Sequence, residues 1–148
     1  MAKLIVNKTE VQAQHGLMLL YSFITLFVVN VLVLLIANAL FPSNVVLGNS
    51  AVSYWWAVHH SMFKLSVIAV FAMQLVTVYE WKKSVTFTPK QWMLLYFAVN
   101  TVTIWGISRF AEQMGLGISA WYVALLLGAA LDWVQGMAMM ALGKAVKF

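Results

Sequence analysis

The sequence contains no cysteine. That single absence excludes disulfides, thiolate metal sites, iron-sulfur clusters and cysteine nucleophiles, and it leaves the redox compartment unread. Charge is almost as scarce, with 9% of the 148 residues charged where soluble domains carry about 25%. There is no glycine-rich phosphate loop, and no serine has a histidine and an acid in a recognisable nucleophile setting. The start, MAKLIVNKTEVQAQHG, lacks the short apolar core and small-residue cleavage site of a removable signal peptide, so the first membrane helix is expected to act as its own insertion signal. What is present is apolar. Hydrophobic residues make up 64% of the chain and the mean hydropathy is +0.89. The expected class is an all-α integral membrane protein of one domain spanning residues 1–148.

Four segments meet the requirement of about 20 predominantly apolar residues for a crossing helix: 17–41, 54–79, 91–111 and 120–142. With their flanks they predict helices over about 8–41, 53–81, 89–113 and 119–143, arranged as two tandem hairpins. Asn7-Lys8-Thr9-Glu10 and Thr88-Pro89-Lys90-Gln91 fit a capping box, in which a short polar side chain and an acid or amide three residues on satisfy free N–H groups. Pro89 also suits the first helical position, where its missing N–H costs nothing. Phe41-Pro42-Ser43-Asn44 and Met114-Gly115-Leu116-Gly117 read as stops.

Orientation follows from the basic residues. Seven of the nine, Lys3, Lys8, Lys82, Lys83, Lys90, Lys144 and Lys147, fall in the N-terminal arm, the loop between helices 2 and 3, or the tail. The loops at 42–53 and 112–119 hold no lysine or arginine. The positive-inside rule then predicts cytoplasmic termini in a cell membrane. Tyr54, Trp55, Trp56, Trp121 and Tyr122 would form an outer aromatic belt, and Tyr79, Trp81 and Trp92 an inner one. Lipid headgroups account for the formal charge of +5 without any role in nucleic-acid binding.

An internal repeat is also visible. Met18-Leu19-Leu20-Tyr21 recurs as Met93-Leu94-Leu95-Tyr96, and Leu47-Gly48-Asn49-Ser50-Ala51 as Leu116-Gly117-Ile118-Ser119-Ala120. This points to a duplicated two-helix unit, 15–87 and 90–148, related by an axis along the membrane normal. Superposing Tyr54 on Tyr122 sets Lys64 opposite Asp132.

Depth leads to the candidate site. Counting about 1.5 Å per residue from the outer helix ends puts Lys64 and Asn30 roughly 16 Å in, and Asp132 and Asn100 roughly 20 Å in. Each helix thus sends one polar group near the midplane, where a lone charge costs on the order of 3 kcal/mol. The expected arrangement is a Lys64 to Asp132 ion pair supported by Asn30 and Asn100. On helix 4, Gly128, Asp132, Gly136 and Gly143 define a small-residue stripe for close helix packing, bordered by Gln135. On helix 2, Ala57, His60 and Lys64 share a face, with His60 one turn outward of Lys64. His59 is rotated away by about 100°. Arg109 and Glu112 read as an outer-edge pair, and Met137, Met139 and Met140 as packing.

One chain cannot supply the facing pair of a bis-histidine haem, because His15 sits toward the inner end and His59 and His60 toward the outer. A lone distant aspartate beside His59-His60 is too sparse for zinc or iron. No cofactor, metal or enzymatic activity is expected. Two readings remain: a small ion or solute pathway through the polar layer, or a non-catalytic membrane subunit or scaffold whose buried ion pair is structural. In either case the partners are the lipid bilayer and further copies or other membrane subunits. The four-helix layout, with inside termini and the turn Trp81-Lys82-Lys83-Ser84-Val85-Thr86-Phe87, resembles the GtrA-like membrane proteins linked to polyprenyl-phosphate sugar translocation. Tyr79-Glu80 stand where that family has asparagine-arginine before the tryptophan, so no residue role is carried over.

Overall fold

The computed structural model describes residues 2–146, with side chains from residue 14 onward. In chain order the elements are α1 (Ala2–Leu40), β1 (Val45–Leu47), α2 (Tyr54–Lys83), α3 (Pro89–Arg109), α4 (Ala111–Met114), β2 (Leu116–Ile118) and α5 (Trp121–Ala145). The fold is essentially all α. Three helical stretches, Gln14–Leu40, Tyr54–Lys83 and Trp121–Ala145, are long and apolar enough to cross a bilayer. By length and composition they mark the chain as a membrane protein. The 21-residue α3 is not among them, since Asn100, Thr101, Thr103, Ser108 and Arg109 dilute its apolar run.

Local chemistry sets most boundaries. Thr88 caps α3: its side chain accepts from the Gln91 N–H while the Gln91 side chain accepts from the Thr88 N–H, with Pro89 in the first turn. Ser53 caps α2 by accepting from the Trp56 N–H. At the far end of α2, Ser84 turns left-handed with φ 52° and returns its N–H to the Glu80 carbonyl. The Glu80 carboxylate accepts from the Phe87 N–H and so holds the turn into α3. Helix α1 already runs from Ala2, ahead of the start expected near residue 8. The side chains of the capping pattern expected at Asn7 to Glu10 lie outside the described residues.

The long helices form a ring. Helix α1 packs on α2 and α5, and α3 packs on the same two, so α2 and α5 stand at opposite corners. Leu34, Met62, Leu65, Ile104, Leu127 and Leu131 fill the shared core.

At one end the two interhelical loops join in an antiparallel ladder, Val45 facing Ile118, Val46 facing Gly117 and Leu47 facing Leu116. Asn49 locks this cap. Its Oδ1 accepts from the Ala51 and Val52 N–H groups, each at 2.8 Å, and its Nδ2 donates to the Ala111 and Glu112 carbonyls at 3.0 and 3.1 Å. Asn49→Ala is therefore expected to destabilise the cap by about 1 to 2 kcal/mol and to speed amide exchange at Val52, as read by hydrogen-exchange mass spectrometry. Unchanged exchange there would remove Asn49 as the lock.

Candidate functional site

Each long helix sends one uncharged polar side chain to a common level inside the ring. Asn30 on α1, Ser66 on α2, Asn100 on α3 and Gln135 on α5 are all buried. Gln135 lies between the two asparagines. Its Nε2 donates to Asn30 Oδ1 at 2.6 Å and to Asn100 Oδ1 at 3.3 Å, and its Oε1 accepts from Asn100 Nδ2 at 2.8 Å. Asn30 Nδ2 donates to Ser66 Oγ at 2.9 Å, and the Ser66 hydroxyl in turn donates to the Met62 carbonyl at 2.8 Å. The network joins four helices through residues as far apart as 30 and 135. A hydrocarbon interior offers no water to compete for these groups, so the amides hold one another.

The expected centre of the site is arranged differently. Lys64 and Asp132 do not meet, because they lie on α2 and α5, the opposite corners of the ring. Both are partly exposed. The Lys64 ammonium lies 3.0 Å from Met114 Sδ, at the end of α4 just before β2. Helical side chains lean toward their helix N-terminus, which for α2 is the β1–β2 end, and the four-carbon stem of lysine extends that lean. The short carboxylate of Asp132 stays on the flank of α5.

The other expected residues divide in the same way. His60 lies against Trp56 with ring centroids 5.2 Å apart and planes tilted by 35°, and its Nδ1 is buried without a hydrogen-bond partner. His59 turns toward α1, its ring 6.2 Å from that of Phe27 and its Nδ1 2.8 Å from the Trp55 carbonyl. The expected Arg109–Glu112 pair is not formed. The helix breaks at Phe110, with φ −108° and ψ 38°, so no continuous helix carries the three-residue spacing, and the Arg109 guanidinium lies over the Trp105 ring at 5.4 Å. Gly128 packs against Thr101 of α3, whose backbone N would stand 3.1 Å from an added Cβ, whereas Gly136 faces open space. His15 pairs with Gln74 at 3.2 Å. Among the described residues no group of three His, Asp or Glu side chains is placed to hold a metal ion.

Sequence reasoning placed Gln135 only at the border of the glycine stripe and passed over Ser66. The available signal was the set of midmembrane polar residues as a whole, from which charge drew attention to Lys64 and Asp132, two that do not join this network.

Fold and layer together define a helical membrane protein tied internally by a buried amide network. Compared with protein-family models, curated proteins and solved structures, the chain matches none. The resemblance to GtrA-like proteins thus gains no family match and assigns nothing here.

Proposed function

We propose that the chain is a non-catalytic, four-span membrane subunit or scaffold with cytoplasmic termini, and that its polar layer fixes helix register instead of conducting. One observation carries this reading: the amides of Asn30, Asn100 and Gln135 are bonded to one another and to Ser66, with the charged Lys64 and Asp132 outside the ring centre.

Support for the fourth span comes from α3 itself. It lies along α5, a helix able to cross, and shows Leu94 (68% exposed) and Val102 (67%) on its outer surface. Lys82, Lys83, Lys90 and Lys144 are exposed at the end away from the β1–β2 cap, which supports the inward orientation of that end. A duplication with its axis along the membrane normal accounts for Leu47 facing Leu116 in the ladder and for Asn30 and Asn100 joining one network.

A second reading, an ion or solute pathway, draws on the hydroxyls of Ser22 and Ser61. Both are buried without partners, on either side of the layer, and together with Asn30 and Ser66 they trace a polar line along α1 and α2.

Flux into vesicles separates the two. Wild-type protein reconstituted with a pH-sensitive or ion-sensitive dye is expected to leak no faster than protein-free vesicles. Flux that Lys64→Met and Asp132→Asn each abolish, in protein that still inserts, would overturn the scaffold and establish the pathway.

A further inference from the structure

Among the described residues Lys64 and Asp132 pair with no opposite charge, yet they flank the same helix. On α2, Ala57 lies where an added Cβ on Gly115 would strike it, and Lys64 follows two turns later on that face, with its ammonium against Met114. On α5, Gly128 packs on Thr101 of α3, and Asp132 follows one turn later on that side. The charges therefore stand on the two shoulders of α3, both partly exposed. They also share a depth: at about 1.5 Å per residue, Lys64 is about 15 Å from Tyr54 and Asp132 about 16 Å from Trp121, the helix starts at the same β1–β2 end. Between the shoulders α3 presents Leu94, Ala98, Val102 and Trp105, all exposed.

We propose that a second copy of this chain packs on this face of α3, about a two-fold axis along the membrane normal, so that Lys64 of each copy meets Asp132 of the other. The proposal rests on the reading that α3 crosses the membrane. A two-fold interface is self-complementary: if one shoulder meets the other across it, the reverse contact follows by symmetry. Opposite charges at matched depth satisfy that condition, and each pairing removes a lone charge from lipid, where such groups are expensive. The thioether of Met114 is only a weak acceptor, so the Lys64 ammonium exchanges it for a carboxylate at little loss. The seam is apolar with small Ala98 at its middle, which lets two helices approach closely.

The absence of native cysteine makes the test direct. Ala98→Cys in lipid vesicles is expected to form a disulfide-linked dimer on mild oxidation, while Val28→Cys, on the exposed face of α1, is not. Lys64→Asp alone and Asp132→Lys alone are each expected to weaken self-association by about a hundredfold, and the two together to restore it. Equal crosslinking at positions 28 and 98, monomeric protein in vesicles, or a double variant no better than the single ones would overturn the proposal. Should the charge variants fail to insert, the Ala98→Cys and Val28→Cys comparison on wild-type charges decides alone. Accessibility labelling of the 84–88 turn tests the span count separately: labelling on the β1–β2 side sinks the four-span reading, whereas correct topology without crosslinking sinks the dimer alone.

Discussion

Gln135→Met is expected to destabilise the protein by about 3 kcal/mol, because it leaves the buried Asn100 amide and the Asn30 Oδ1 unsatisfied at once. Methionine matches glutamine in length, so little packing is lost. What disappears is the donor to Asn30 Oδ1 and the two-way exchange with Asn100. Hydrogen bonds inside bilayers average about 0.6 kcal/mol and reach about 1.7, so three contacts at the average give about 2, and the unsatisfied groups left behind raise this to about 3. The sharper consequence is non-additivity. Removing every member together, Asn30→Leu, Ser66→Ala, Asn100→Leu and Gln135→Met, leaves no orphan and is expected to cost about 1 kcal/mol or less, below Gln135→Met alone. Equilibrium unfolding in mixed micelles, followed by circular dichroism, measures both. A quadruple variant whose loss equals the sum of the four single losses would show that the layer does not act as a unit.

The second large effect separates two glycines on one helix. Gly128→Ala would bring a methyl group onto the Thr101 hydroxyl and to 3.1 and 3.2 Å from the Thr101 backbone N and Cα. Thr101 Oγ1 can rotate away, but the backbone of α3 can retreat only by parting from α5. The net cost is expected to be about 2 kcal/mol, overpacking less the gain in helix propensity. Gly136→Ala meets nothing within 4 Å and should be neutral or stabilising by up to about 1 kcal/mol. The same unfolding assay compares them, and similar values for the two variants would refute close packing of α3 on α5 at Gly128.

These contrasts show where reading along the chain succeeds. The capping box at Thr88, Pro89 and Gln91 is legible because its partners are three residues apart, and the local backbone suffices to bring them together. The stop at Gly115 is legible for the same reason, since its left-handed φ of 73° is a property of that residue and its neighbours. Two features escaped this kind of reading. Strands of three residues are too short to show an alternating pattern, so the β1–β2 ladder was hidden. Asn49 looked like part of a repeat, and its reach to Ala111 and Glu112 exists only because the two loops meet.

By itself the sequence determined that this is a helical chain with bilayer-length apolar segments, and how far along its helix each polar residue lies. Depth follows from counting, because every helical residue rises by the same distance. The tertiary structure alone decided which polar groups meet. Placing α2 and α5 at opposite corners parts Lys64 from Asp132, while Gln135 turns inward to hold Asn30 and Asn100. Direction around a helix axis has meaning only relative to its neighbours, and which helices become neighbours depends on the packing of all of them together.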